Sequence, residues 1–203
     1  MTSYAPIRDP DKDQLLTPQN AALVIIDFQP TQVHSVASRD KRELVANITA
    51  VARLAKLFNL PVVISTVNVK TGVNGPTVHQ ITDVFPELDA IDRTAINAWE
   101  DQDFVRAVKA TGRKKLVIAA LWTEVCLAFP TLDALAEGVE VYPVVDAVGG
   151  TSVEAHEAGL RRIVQAGAKP ISWVSLACEL QRDWNRTQTT KTFAQIVFAV
   201  EGN

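Results

Sequence analysis

Cysteine and histidine are scarce in this chain: two of the first, Cys126 and Cys178, and three of the second, His34, His79 and His156. Two thiols cannot build a disulfide framework. The histidines lie far apart, with no H-x-H or H-E-x-x-H spacing, so no metal site is expected. Phosphate-binding fingerprints are missing too. Neither G-x-x-x-x-G-K-[ST] nor G-x-G-x-x-G occurs, and Gly149-Gly150-Thr151 reads as a turn and helix cap rather than a phosphate loop. No apolar run approaches the roughly 18 residues that span a bilayer. Charge of one sign is also lacking: 20 basic residues face 23 acidic ones, a net −3, which gives no electrostatic case for nucleic acid or an anionic membrane as partner. The opening MTSYAPIRDPDKDQ is polar and proline-broken and has no signal-peptide core, so a cytoplasmic location is expected.

What is present is an ordinary globular composition, 47% hydrophobic and 21% charged, in a chain of 203 residues, enough for one well-packed domain. Residues 1–20, with Pro6, Pro10 and Pro18, read as an extended arm. Ala21–Phe28 is a continuous apolar run ending in an acid, the pattern of a strand buried on both faces. Val62–Val67, Ala90–Arg93, Lys115–Leu121, Val139–Val145 and Pro170–Val174 read as five further strands. Between them, Arg42–Phe58, Val78–Val84, Gln102–Thr111 and Glu124–Glu137 read as helices, with Pro130 expected to loosen the last unless it falls in a first turn. Thr151-x-x-Glu154 is a capping box for a helix closing at Gly167. Ala177–Asn185 and Lys191–Val200 supply the last helical material, with about 186–203 as a C-terminal extension. The alternation predicts an α/β fold: a three-layer, doubly wound, predominantly parallel six-stranded sheet with helices on both faces.

The most informative stretch is Lys115–Ala128, KLVIAALWTEVCLA. A buried strand there delivers a thiol to the C-terminal edge of the sheet, in the first turn of the next helix, where unpaired N–H groups favour an anion. Thr123 suits the N-cap, which puts Cys126 at N3. The bland alternative is a small cysteine packing a strand–helix corner. Asp27 and Arg93 end two other strands on the same edge, where α/β sheets collect functional groups. A thiol, an acid–base group and a fixed cation are what acyl transfer needs. Taken singly, Asp27 reads first as an N-cap or loop acid and Arg93 as a surface ion-pair partner; it is their convergence with Cys126 that favours the functional reading. Cys178 reads as structural.

The strand LVIIDFQ, the W-T-E-V-C stretch and the fifth strand with Asp146-Ala147 resemble the isochorismatase-like cysteine hydrolase superfamily from about Ala21 to Trp184. Asn97-Ala98-Trp99, Thr123-Glu124-Val125-Cys126 and Ala177-Cys178-Glu179-Leu180 with Arg182-Asp183-Trp184 resemble its YcaC-like branch. The resemblance implies that Cys126 is the nucleophile of a thioester mechanism on an amide-like C–N bond, with Asp27 as proton acceptor. It places Arg93 where most of the superfamily has lysine; an arginine stays charged and is a poor proton shuttle. It also implies a cis peptide at Trp122–Thr123, which would aim the Thr123 and Cys126 N–H groups at one point as an oxyanion hole. Phe28, Gln29, Asn97, Trp99 and Trp122 are the candidate pocket residues, with plain core packing as the alternative for the aromatics. Metal-dependent relatives that deamidate nicotinamide carry an acid and histidines grouped at a metal; no D-x-H appears here, and neither metal nor cofactor is implied. A small-molecule substrate and a homo-oligomer, an octamer by resemblance, are the partners implied. The competing reading is an oligomeric scaffold or ligand-binding protein whose catalysis is weakened by Arg93.

Overall fold

The computed structural model describes residues 5–201. Its sheet is built from the most apolar runs of the chain: β1 (Ala21–Ile26), β2 (Val62–Val67), β3 (Ile91–Arg93), β4 (Lys115–Ala120) and β5 (Glu140–Pro143). Every residue of β1 and β4 is buried, as expected of strands covered on both faces. All neighbouring strands run parallel in the order β3-β2-β1-β4-β5. The chain starts in the middle, winds outward through β2 to β3, then returns to the other side of β1. The carboxyl ends of β1 and β4 therefore bound the crevice where the winding reverses, the place where open α/β sheets bind ligands.

Among the described residues, eight α-helices accompany the sheet: α1 (Pro30–Ser35), α2 (Lys41–Leu57), α3 (His79–Thr82), α4 (Gln102–Ala110), α5 (Ala128–Ala136), α6 (Val153–Gln165), α7 (Trp173–Gln181) and α8 (Thr187–Glu201). Of these, α2 packs with α3, α7 and α8, and α5 with α6. Leu44, Ile48, Val51, Leu54 and Ala55 give α2 its buried stripe, and they join β1 and β4 in one continuous core. None of the helices among the described residues is long and apolar enough to cross a membrane.

Five strands form the sheet where six were expected. Ile171 makes only an isolated parallel bridge with Val144. The next residues are claimed by α7: Ser172 accepts the Ser175 N–H at 3.0 Å and the Asp146 carboxylate accepts the Trp173 N–H at 2.8 Å. An N-cap and a first-turn anion outcompete strand pairing for this short apolar run. The expected capping box also shifts. Ser152, not Thr151, caps α6, accepting the Ala155 N–H at 3.1 Å. The predicted helix Glu124–Glu137 divides in two. Pro130 has no N–H to offer the Cys126 carbonyl; it falls in the first turn of α5, and the preceding turn, Thr123–Leu127, is π-helical.

The arm is tied down at the edge of the sheet away from the crevice. Asp13 pairs with Arg182 at 2.8 Å and the Leu16 N–H donates to Glu179 at 2.6 Å. Residues 1–4 of the arm and 202–203 of the C-terminal extension lie outside the described residues.

Candidate active site

The exit from β1 places the first group. Asp27 has φ +60, a left-handed conformation uncommon outside glycine and tolerated best by Asp and Asn. The chain turns sharply behind it, with the Gln29 N–H on the Asp27 carbonyl at 2.7 Å. Gln29 staples this exit to the end of β2: its amide donates to the Val67 and Gly75 carbonyls at 3.1 and 2.6 Å and accepts the Val67 N–H at 2.9 Å. The strained residue is thus over-determined by its surroundings, the condition under which such strain persists.

Arg93, the last residue of β3, reaches across the end of β2 to Asp27. The pair is bidentate, 2.7 Å from one guanidinium nitrogen to Oδ1 and 2.8 Å from the other to Oδ2. The same two nitrogens donate to the Thr66 carbonyl at 3.0 Å and the Ile96 carbonyl at 3.3 Å. Both side chains are fully buried. Burial alone would lower the ionisation of Arg93, but the hydrogen bonds and charge of Asp27 outweigh it and the net shift is upward.

Cys126 completes the cluster from the π turn after β4, and is 7% exposed. Asp27, Arg93 and the Trp122 N–H are the groups that act on its thiol. Burial, followed by the charge and hydrogen bond of Asp27, pushes the thiol up to about 12, against the opposing pull of Arg93 and the Trp122 N–H. The resting group near neutral pH is therefore a thiol beside a carboxylate, not a thiolate. Asp27, Arg93 and Cys126 thus come together from the carboxyl ends of β1, β3 and β4.

Several expected details are corrected by the geometry. The cis peptide lies at Leu121–Trp122, one bond before the expected Trp122–Thr123. Thr123 is the first residue of the π turn rather than its cap. Its N–H donates to the Gly149 carbonyl at 3.0 Å, so it is not free for an oxyanion. Phe28 and Gln29 are fully buried, and the Gln29 amide is saturated, so neither offers surface to a ligand. Asn97 and Trp99 are also buried, and their polar atoms are engaged: Asn97 donates to Asp133 at 2.7 Å and Trp99 Nε1 to Glu137 at 2.9 Å. These bonds fasten the segment after β3 to α5. Trp122 alone of the five is partly exposed, with its indole N–H on Ser35 Oγ at 2.8 Å. Among the described residues, no group of three or more His, Cys, Asp or Glu gathers as a metal site would require.

Sequence reasoning missed the brace behind the π turn. Gly149, Gly150 and Thr151 lie between the segment after α1 and the turn: Gly150 accepts the Ala37 N–H at 3.0 Å and donates to Ser38 Oγ at 2.9 Å. Thr151 donates to the Glu124 carboxylate through N and Oγ1 at 3.0 and 2.6 Å. Behind them α6 approaches at Gly159. A methyl group there would sit 2.8 Å from Glu124 Cα and 3.0 Å from Glu124 N. A glycine inside an amphipathic helix was the available signal. Because the opposing atoms are main chain and cannot swing aside, Gly159→Ala is expected to destabilise the protein by about 1–3 kcal/mol. A lower urea midpoint at unchanged m-value is the check.

A model of the isochorismatase domain matches residues 21–175. The probable hydrolase YcaC of Escherichia coli is 42% identical over 170 residues, 83% of this chain and 81% of that protein. The crystal structure of YcaC from Pseudomonas aeruginosa, solved with hexane-2,5-diol and covalent acrylamide, superposes with a TM-score of 0.86 at 39% identity, covering 93% of this chain and 94% of that one. The E. coli YcaC structure, described as an octameric hydrolase of unknown specificity, gives the same TM-score, 0.86, at 38% identity and the same coverage. By the extent of these matches, the chain belongs to the isochorismatase family.

Proposed function

We propose that the protein is a cysteine-dependent hydrolase of a small, amide-like C–N bond, with Cys126 as nucleophile, Asp27 as acid–base group and Arg93 as the fixed counter-ion of Asp27. The observation that carries this reading is a buried thiol, Cys126, within the influence of a carboxylate that a buried guanidinium locks in place. As sulfur attacks the carbonyl carbon, the thiol proton passes to Asp27. The C–N bond breaks, and that proton leaves on the amine or ammonia. Water then attacks the thioester, giving its proton to Asp27, which returns it to sulfur as the C–S bond breaks. The products are a carboxylic acid and the free enzyme. An activated nucleophile beside its base fits both half-reactions. The Trp122 N–H, which already acts on the thiol, serves with the Cys126 N–H as the oxyanion donor pair, in place of Thr123.

The four N–H bonds at the two terminal nitrogens of Arg93 are all spent, two on Asp27 and two on main-chain carbonyls. With only its buried Nε–H unpartnered, the cation acts chiefly to neutralise Asp27, which favours a neutral amide, urea or carbamoyl compound. Covalent acrylamide on the P. aeruginosa YcaC supports a nucleophile in the family, since acrylamide is an electrophile that thiols take up by addition. The octameric E. coli relative supports a homo-oligomer here too, with the exposed Trp184 a natural contact.

The test is a panel of small amides, ureas and carbamoyl compounds offered to the wild-type protein, Cys126→Ala and Cys126→Ser. Turnover by the wild type is expected to vanish in both variants while their melting temperatures stay within a few degrees. Full activity in Cys126→Ala overturns the assignment.

A further inference from the structure

The π turn that carries Cys126 is held from behind by a titratable side chain that the reaction itself does not use. His156, in the first turn of α6, places Nδ1 2.8 Å from Thr123 Oγ1. Thr123 is fully buried, so water cannot replace that partner. Its N–H is already fixed on the Gly149 carbonyl. A buried hydroxyl needs an acceptor for its hydrogen, and the ring supplies one when neutral with the proton on Nε2. This tautomer is assigned from the hydrogen-bond requirement. One turn further along α6, Gly159 lets the helix backbone close onto Glu124 and Thr123, so that His156 meets the turn at a fixed height. Both residues of the contact thus sit on backbone that is itself clamped.

We propose that His156 is a positioning residue: by accepting the Thr123 hydroxyl it fixes the π turn in the conformation that presents Cys126 to Asp27. The inference rests on Cys126 being the nucleophile. It assigns a purpose to the Gly149–Gly159 region, which the sequence marked only as a turn and a cap. It also carries a pH signature. A protonated ring donates from Nδ1 and can no longer accept, so the Thr123 hydrogen loses its partner and the turn loosens. The charged groups acting on the ring are Glu124 from the π turn, Arg39 from the segment before α2 and Glu157 on α6 itself. Burial, then Arg39, holds the imidazole below its ordinary value of 6.5, against the pull of the two glutamates. The neutral, accepting form therefore prevails at neutral pH, and the contact fails only in acid.

The test needs no known substrate. Acrylamide is added to the full-length wild-type protein, and modification of Cys126 and Cys178 is followed separately by mass spectrometry from pH 5 to 8. His156→Ala is expected to slow Cys126 modification about tenfold or more at pH 7.5, leaving the exposed Cys178 unchanged. His156→Asn retains an acceptor near the Nδ1 position and cannot titrate. It is expected to restore the Cys126 rate to within about threefold of wild type, and to remove the inflection that wild type shows below pH 6.5. Thr123→Val is expected to slow Cys126 as much as His156→Ala does, with no further loss in the double variant. A His156→Ala protein that modifies Cys126 at the wild-type rate overturns the proposal. So does a His156→Asn protein as slow as His156→Ala, which would reduce His156 to a packing residue. If Cys126→Ala retains turnover, it is the nucleophile reading that has failed instead.

Discussion

Asp27→Asn is expected to lose turnover by about 10²–10⁴-fold, the range for removing a general acid–base group, and yet to make Cys126 more reactive toward simple alkylating agents. The two results pull in opposite directions because Asp27 acts on the sulfur in two ways. As a proton acceptor it allows the thiol to attack a carbonyl. As a negative charge and hydrogen-bond acceptor, it holds the proton on the sulfur. After burial, these are the two causes that raise the thiol to about 12. Asparagine removes both and can donate its amide to the sulfur instead. Arg93, released from its bidentate partner, becomes an unscreened cation beside the thiol, and a cation favours the thiolate. Each pH unit by which the thiol comes down raises the thiolate at pH 8 about tenfold. Iodoacetamide labelling of Cys126 across pH 6 to 10 reads this directly, with Cys178 as the internal reference. Labelling of Cys126 that slows in Asp27→Asn would mean that the thiolate–arginine pair does not form. The wild type, by the same reasoning, is not a thiolate enzyme at rest. A protonated Cys126 is expected to label by way of Asp27.

The strands and the meeting of three chemical groups were legible in the sequence, and the reasons are physical. Runs such as Ala21–Ile26 and Lys115–Ala120 are buried on both faces, and in a parallel sheet that demand leaves few other patterns open. Asp27 and Arg93 could be placed on one edge because strand direction fixes which end of each strand faces the crevice. Features decided by side-chain competition were not legible. Pro170–Val174 has strand composition, but Ser172 and the Asp146 carboxylate give its amides better partners as a helix start. Thr151 has the sequence position of a cap and instead hydrogen-bonds Glu124, across 27 residues of chain. Helix α1 has too few turns to show an apolar period, and Pro30 at its first position is its only local signal. The aromatic and amide side chains near the crevice illustrate the same limit. The family resemblance marked Asn97 and Trp99 as near the site, but only the positions of Asp133 and Glu137 reveal that their polar atoms fasten a loop to α5.

Arg93 is where the fold and the site depend on each other most, and replacing it is expected to have the largest effect on stability. Arg93→Met leaves a fully buried carboxylate without its partner and removes the side-chain donors to the Thr66 and Ile96 carbonyls. Removing one member of a buried ion pair costs about 3–5 kcal/mol, because the remaining charge keeps its desolvation penalty. Arg93→Lys keeps the charge but brings three N–H donors on one nitrogen to four acceptors that two nitrogens now serve. It is expected to lie between Arg93→Met and wild type. The decisive comparison is the double variant Asp27→Leu/Arg93→Met. Removing both charges removes both desolvation penalties, and pairs replaced together by apolar groups are often neutral in stability. The double variant should therefore be more stable than Arg93→Met alone, with no turnover at all. Urea unfolding of the four proteins reads the order directly: wild type highest, Arg93→Lys and the double variant between, the latter carrying the cost of leucine in the left-handed backbone of position 27, and Arg93→Met lowest. If Arg93→Met matches wild type, Asp27 has taken up a proton to escape its isolation. The pair would then contribute less to the fold than to keeping an ionised base beside Cys126.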